Sequence, residues 1–303
     1  MGNILAVVVT YNRLELLKKC TECIKAQKQP CDLLIVNNAS TDGTEEYLAT
    51  ITSDNVFAVN TGANLGGAGG FAAGMKYAAE HGYEYAWIMD DDCLPGEDTL
   101  ALLKEADEFL GGPEKYGYLA SNIIWTDGNE CVMNRSKKVP KLPVPEGADE
   151  LKLIRVLQST FVSLLIPTAH IKKYGLPLAP YFIWNDDIEF TRRLAVRGGL
   201  PSYEVGASKA LHAMTSNVGS NIGRDDIAKI DRYRMAFRNE ACTYSKEGLY
   251  GFALYWYRCL RSFVYICFQA RDNRGKRFAA LFKGIGQGFT FRPEPEYPEI
   301  KDV

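Results

Sequence analysis

Three consecutive carboxylates, Asp90, Asp91 and Asp92, close an apolar run from Ala86 to Met89, and Pro95-Gly96 follow almost at once. That pattern reads as a buried strand stopping at a sheet edge, with the acids fanned out where the chain turns. Adjacent carboxylates repel one another. A hard divalent cation relieves the repulsion, and oxygen-ligated Mg²⁺ or Mn²⁺ suits such a site. A solvated acidic turn, or an N-cap for the segment from Gly96, accounts for the same residues. A second acidic group, Asp186-Asp187 with Glu189, follows Tyr181-Phe182-Ile183-Trp184 and opens a helical pattern over Thr191 to Arg197. Capping favoured by the helix dipole would explain it. Paired carboxylates beside a Trp also suit sugar chemistry, in which one of them takes a hydroxyl proton. His212, one of 3 histidines, falls where a last strand would end; by itself a lone His is more often structural than a ligand.

The elements that must position these groups alternate. Ile4 to Val9 is a β-branched apolar run ending in Thr10-Tyr11-Asn12-Arg13, and Leu14, Leu16, Leu17, Cys20 and Ile24 recur at helical spacing. Leu33 to Val36 runs into Asn37-Asn38-Ala39-Ser40-Thr41-Asp42-Gly43, Thr44 to Ile51 is helical, and Asn55 to Val59 is a third strand. The glycine-rich Asn64-Leu65-Gly66-Gly67-Ala68-Gly69-Gly70-Phe71 leads into a helix through His81, before the strand Tyr85 to Met89. Strand–helix alternation predicts a parallel sheet with right-handed crossovers. Ligands of such sheets lie beyond the carboxyl ends of the strands, so the polar tails after strands one, two and four converge on one crevice.

Gly67-Ala68-Gly69-Gly70-Phe71-Ala72 satisfies a relaxed dinucleotide-binding pattern, with Asp90 about twenty residues on. It stands in the third βα unit rather than the first, and its acidic position is a triplet, which disfavours a nicotinamide-dependent dehydrogenase. Two readings stay open: backbone approaching a phosphate or sugar at a helix N-terminus, or glycines packing a helix on the sheet.

The 303 residues suffice for one large α/β domain or two small ones. With 47% hydrophobic and 24% charged residues the chain is that of a soluble globular protein, and a net charge of -2 gives no footprint for nucleic acid. The start has no basic region and no small-residue cleavage site, and the 8 scattered cysteines favour reduced thiols and a cytoplasmic protein. The pair Cys20 and Cys23 lacks a partner at zinc-site spacing and reads as helix packing.

Thr10-Tyr11-Asn12-Arg13, Val36 to Gly43 and Asp90-Asp91-Asp92, in this order, resemble the inverting family-2 glycosyltransferases. The octet from Asn64 to Phe71 resembles the narrower group of bacterial galactofuranosyltransferases, and the likeness covers roughly residues 4 to 240. It implies a GT-A fold: a Rossmann-like α/β sheet, mostly parallel and flanked by helices, with a C-terminal helical extension. It further implies a UDP-sugar donor, UDP-galactofuranose, held by Thr10, Tyr11, Asn12, Arg13, Asn38, Asn64, Gly66, Gly67, Asp90 and Asp91. Thr10, Tyr11 and Asn38 would frame the uracil. Mn²⁺ or Mg²⁺ would be held by Asp90, Asp92 and His212, with mixed ligation suiting Mn²⁺ slightly better. Asp187 would be the general base, Asp186 would bind acceptor hydroxyls, and Trp184 would face a sugar ring. One departure is Asn37-Asn38, where many relatives have Asp; an Asn carbonyl still accepts from the uracil N3–H. A dTDP-rhamnosyltransferase of the same fold shares this acid–base logic, and a non-catalytic nucleotide-sugar or glycan-binding module would have no use for the base. A nucleotidyltransferase is disfavoured, because no Gly-rich loop with an Arg follows the first strand.

The catalytic domain is expected over residues 1–222, with a nucleotide-binding half at 1–125 and an acceptor half at 126–222. Within it, Gly96 to Leu110 is helical, Tyr118 to Trp125 and Cys131 to Asn134 are strands about an Asp127-Gly128 turn, and Lys137 to Asp149 is a surface loop. Gln158 to Ile166 reads as a strand, with Pro167 opening a short helix that ends near Gly175. Residues 223–290 form a helical region and 291–303 an extended tail. In its first helix, Arg238-Asn239 has a counterpart in the galactofuranosyltransferases and either contacts donor or acceptor phosphate or lies on a helix packed by Tyr233 and Phe237. Leu249 to Phe268 holds eight aromatic residues around Arg258 and Arg261, which argues against a membrane span. That helix either lies in a membrane interface, with Arg271, Arg274, Lys276 and Arg277 meeting anionic lipid, or packs on the catalytic domain or a second copy. In the first case the enzyme is peripheral at the inner face of the cell membrane, and its acceptor, a cell-surface glycan, is lipid-linked.

Overall fold

The structure, a computed structural model, describes residues 3–299. Its first half follows the alternation: β1 (Ile4–Thr10), α1 (Leu14–Lys25), β2 (Asp32–Asn37), α2 (Thr44–Ile51), β3 (Val56–Asn60), α3 (Gly66–Glu80) and β4 (Tyr85–Asp90). Then come β5 (Cys93–Pro95), α4 (Thr99–Leu110), β6 (Leu119–Ile124), β7 (Leu153–Arg155), β8 (Leu164–Pro167), α5 (Thr168–Tyr174), α6 (Asp186–Arg192) and β9 (Tyr203–His212). Among the described residues, nine strands join in one sheet of order β3-β2-β1-β4-β8-β6-β9-β5, with β7 beside β9. β1 to β4 are mutually parallel, and β8 runs antiparallel between β4 and β6.

β1 is buried at every position, as the unbroken run Ile4 to Val9 requires of a strand covered on both faces. One face packs Leu17, Cys20, Ile24, Trp87 and Leu103; the other packs Val7, Met75, Ile88, Leu164 and Phe190. On that second face α3 comes close because it has no side chain where it crosses β1. A Cβ at Gly70 would lie 2.4 Å from Val9, and one at Gly74 would lie 2.2 Å from Val7. For these two glycines the packing reading holds.

Two expected strands are corrected. Cys131 to Asn134 is a 3₁₀ turn at Val132–Asn134, because the Val132 N–H donates to Asn217 Oδ1 at 2.7 Å instead of to a neighbouring strand. The strand expected from Gln158 is regular only from Leu164. Ser163 has φ 54° and the Ser159 N–H donates to Thr191 Oγ1, so upstream backbone is satisfied by side chains. β5 and β7, three residues each, carry too little periodicity to be read from sequence.

The last third forms α7 (Ile230–Ser245), α8 (Gly248–Gln269) and α9 (Arg274–Gly288) around a separate cluster of Tyr233, Phe237, Tyr255, Ile266 and Leu281. Arg258 ion-pairs with the buried Glu240, and Arg261 lies over the Tyr265 ring, which accounts for two arginines in an aromatic helix. The outer face of α8 is apolar and open, with Leu249 and Phe268 88% and 82% exposed. Among the described residues no helix is long and apolar enough to cross a membrane. Arg277 leaves the expected lipid-facing cluster: it is buried and donates to the carbonyls of Ile222 and Asp225. The tail is extended and docked, with the Leu176 N–H donating to Glu296 O at 2.7 Å; residues 300–303, its end, lie outside the described residues.

Candidate active site

The parallel pairing of β1 with β4 sets Val9 opposite Asp90, so the acids emerge beside Thr10 at the carboxyl edge of the sheet. Thr10 Oγ1–H donates to Asp91 Oδ2 at 2.8 Å, and Arg13 Nη1–H donates to Asp92 Oδ2 at 2.7 Å and Asp91 Oδ1 at 3.3 Å. β5 then turns back along β9 with Cys93 opposite His212, which sets the imidazole against the triplet. His212 Nε2 lies 2.8 Å from Asp92 Oδ1. A carboxylate oxygen of Asp90, one of Asp92 and a ring nitrogen of His212 all lie within 4.8 Å of one another, a donor set that fits a divalent cation. These are the three metal-binding residues expected from sequence.

The electrostatics fit a cation as well. Burial, reinforced by the charge of Asp92, pushes Asp90 well above the carboxylate range. Burial pushes Asp91 up to about 6 against the pull of Arg13 and Thr10. Asp92 is held low: burial would raise it, but the hydrogen bond and charge of His212 and the charge of Arg13 outweigh that. His212 is raised in turn by Asp92, although burial opposes its charge. Crowded acids with one displaceable proton on an imidazole give a divalent ion an electrostatic role in this place.

The ends of β1 and β2 carry the remaining donor-site candidates. Tyr11, the residue after β1, is 44% exposed. Asn12, with φ 54°, accepts the Thr41 N–H on Oδ1 at 2.7 Å and so ties the two strand ends together. Asn38 is buried, and its amide is turned onto the glycine-rich turn. Oδ1 accepts from the Leu65 N–H at 3.0 Å and Thr61 Oγ1–H at 3.1 Å, while Nδ2 donates to Gly66 O at 2.8 Å. Asn64 Oδ1 accepts the Gly66 N–H at 2.9 Å. Gly66 has φ +69°, and a Cβ there would lie 2.0 Å from the Phe182 carbonyl oxygen. The space at Gly66 therefore holds protein backbone, whereas nothing lies within 4 Å of a Cβ at Gly67.

Phe182 begins the turn that presents the second acidic group. Phe182, Trp184 and Asn185 have φ 65°, 63° and 67°, a backbone that L side chains adopt only when their surroundings dictate it. The surroundings are on α7. Asn239, fully buried, donates through Nδ2 to the carbonyls of Tyr181 (3.0 Å), Ile183 (3.2 Å) and Trp184 (2.8 Å). Arg238 Nη2–H donates to Pro180 O at 3.0 Å and Tyr181 O at 3.2 Å. Both sequence readings of this pair missed that role: Arg238-Asn239 grips the backbone before Asp186. Trp184 packs edge-on against Tyr233 at 4.9 Å between ring centroids.

Asp186 is buried and Asp187 half-buried at the start of α6. Burial pushes Asp187 up to about 6. Burial, and after it the charge of Asp187, pushes Asp186 up to about 8. Both carboxyls are thus held above the ordinary carboxylate range, and the pair keeps its protons to higher pH than free acids do, as carboxyl pairs at acid–base sites do. Glu189, the third acid of the segment, is engaged with Arg193 and Arg197 inside the protein.

A chain of contacts links the segments that carry the two acidic groups: Asp91 to Thr10, β1 to β2, Asn38 to Gly66, and Gly66 to Phe182.

Residues 5–111 match the family model described as glycosyl transferase family 2. The galactofuranosyltransferase GlfT1 of Mycolicibacterium smegmatis is 29% identical over 213 residues, 65% of this chain and 66% of the relative. Its namesake from Mycobacterium tuberculosis is 27% identical over 215 residues, 66% of each. The chain therefore spans just under two thirds of these relatives' length. Among solved structures, Staphylococcus aureus TarS 1-349 aligns over 95% of this chain and 72% of its own at a TM-score of 0.53 and 16% identity. GalNAc-T7 with UDP, GalNAc and Mn²⁺ aligns over 78% and 46% at a TM-score of 0.54 and 12% identity. A mannosyltransferase from Pyrobaculum calidifontis with GDP-Man and Mn²⁺ aligns over 81% and 64% at a TM-score of 0.52 and 18% identity. Residues 5–111 thus match the glycosyl transferase family 2 model, and the fold as a whole is GT-A-like.

Proposed function

We propose that the protein is a metal-dependent, inverting galactofuranosyltransferase that uses UDP-galactofuranose and adds the sugar to a hydroxyl of a cell-surface or lipid-linked glycan. The observation that carries this reading is a cation-competent Asp90–Asp92–His212 set together with an Asp186–Asp187 pair on the turn that touches the glycine-rich segment at Gly66. The donor follows the relatives named galactofuranosyltransferase.

In this reading Tyr11 and the strand end Asn12-Arg13 border the nucleotide, while Thr10, Asn38, Asn64 and Gly66 shape the site from behind. Asp91 and the open backbone at Gly67 face the donor's ribose or diphosphate. A divalent cation bound by Asp90, Asp92 and His212 supplies Lewis-acid neutralisation of the leaving diphosphate. Asp187 takes the proton of the acceptor hydroxyl as the oxygen bonds to the anomeric carbon, and UDP departs from the opposite face with the bonding electrons. Asp186 binds an acceptor hydroxyl, and Trp184 offers the acceptor an apolar face. The catalytic unit is residues 1–222, with the acceptor half beginning at 126.

Transfer assays run in parallel with UDP-galactofuranose and dTDP-rhamnose, each with Mn²⁺ and with chelator, test the reading. Mn²⁺-dependent turnover of the UDP-sugar supports it, and turnover of dTDP-rhamnose alone replaces the donor.

A further inference from the structure

We propose that Asn134 is a positioning residue for His212, presenting Nε2 of the imidazole, and not Nδ1, to the cation. The proposal rests on reading Asp90, Asp92 and His212 as the cation site. His212 Nδ1 lies 2.7 Å from Asn134 Oδ1, on the side of the ring away from Asp92. An amide oxygen only accepts, so the nitrogen facing it must carry the proton. Nε2–H donates to Asp92 Oδ1 at 2.8 Å, and a cation that displaces this proton takes the Nε2 lone pair.

Asn134 is itself oriented. Its Nδ2 donates to Thr160 Oγ1 at 3.1 Å, and its Oδ1 also accepts from Cys131 Sγ–H at 3.2 Å. The 3₁₀ turn that carries it is tied to the segment after β9 by Val132 N–H to Asn217 Oδ1 and by Asn217 Nδ2 to Glu130 O. The turn is therefore fixed to the segment that follows the histidine. Groups that hold the second nitrogen of a ligating histidine usually change metal affinity 10–100-fold when lost.

The test is Mn²⁺ binding to the metal-free full chain, followed by electron paramagnetic resonance of the free ion, in Asn134→Leu, Asn134→Asp and His212→Ala. Asn134→Leu keeps the size and removes the acceptor; about 10–100-fold weaker binding is expected. Asn134→Asp keeps an acceptor for Nδ1–H and should bind Mn²⁺ at least as tightly as wild type. If Asn134→Leu binds Mn²⁺ like wild type while His212→Ala does not, the proposal fails and the cation site stands. If His212→Ala also binds like wild type, the cation site itself fails, and the proposal with it. Should Asn134→Leu not fold, Asn134→Asp decides alone, and a loss as large as that of His212→Ala overturns the proposal.

Discussion

Gly66 and Phe182 touch where no side chain could stand between them: a Cβ on Gly66 would sit 2.0 Å from the Phe182 carbonyl oxygen, and the Ala68 N–H donates to that same oxygen at 3.2 Å. This contact joins the glycine-rich turn after β3 to the turn that carries Asp186 and Asp187. Replacing Gly66 by Ala is expected to strain the positive φ and push Phe182 away, destabilising the fold by about 1–3 kcal/mol. Gly67→Ala, with open space around it, should be close to neutral. Urea denaturation of the two variants measures the difference, and equal stability would remove this contact from the account.

Asn239 is the second support of the same turn, and its truncation removes the side-chain donor shared by the Tyr181, Ile183 and Trp184 carbonyls. Asn239→Ala should lower stability by about 1–3 kcal/mol. It should also reduce kcat more than donor affinity, because the residues displaced lead to Asp187 and not to the triplet. A kcat unchanged at equal folded fraction would show that α7 does not position the base.

The pH dependence has a definite sign. Asp187 is pushed up to about 6, so below that pH the base is protonated and transfer is lost; above it activity reaches a plateau. A pH–rate profile at saturating donor and Mn²⁺ should show an acidic limb near 6, kept in Asp186→Asn because burial is the main cause. Asp91 is pushed to a similar value, so Asp187→Glu separates the two: a limb that shifts belongs to the base, and one that stays points to Asp91.

Much of this site was legible in the sequence. The residues with chemistry end strands, and strand ends follow from apolar runs stopping at polar ones, as at Thr10 and Asp90. The chain's alternation then fixes which ends share an edge. What escaped was set by tertiary contact. β5 is only three residues long, yet its pairing with β9 brings His212 to Asp92. The 3₁₀ turn at Asn134 depends on a side chain 83 positions later, Asn217, which no local pattern reveals. Arg238-Asn239 reads in sequence either as a phosphate contact or as part of a helix packed by Tyr233 and Phe237, and neither reading shows its grip on the backbone of 180–184. The run Gly66 to Gly74 proved to combine packing at Gly70 and Gly74 with close approach at Gly66, and sequence alone could not divide those roles.

Cation binding should be visible without turnover. Mn²⁺ at about 100 times its Kd stabilises a protein that binds it only when folded by about 2.7 kcal/mol. Thermal unfolding should therefore show a Mn²⁺-dependent rise in Tm that chelator reverses and that Asp92→Asn and His212→Ala diminish. A rise preserved in both variants would move the ion elsewhere.

The central claim is a division of labour, with the triplet and His212 holding donor and cation while Asp187 removes the proton. Calorimetric UDP binding in the presence of Mn²⁺, measured alongside transfer for Asp187→Asn, tests it most directly. The account predicts UDP affinity close to wild type and transfer reduced about 10²–10⁴-fold. Substantial transfer by the Asn variant, or equal loss of binding and transfer, would contradict it.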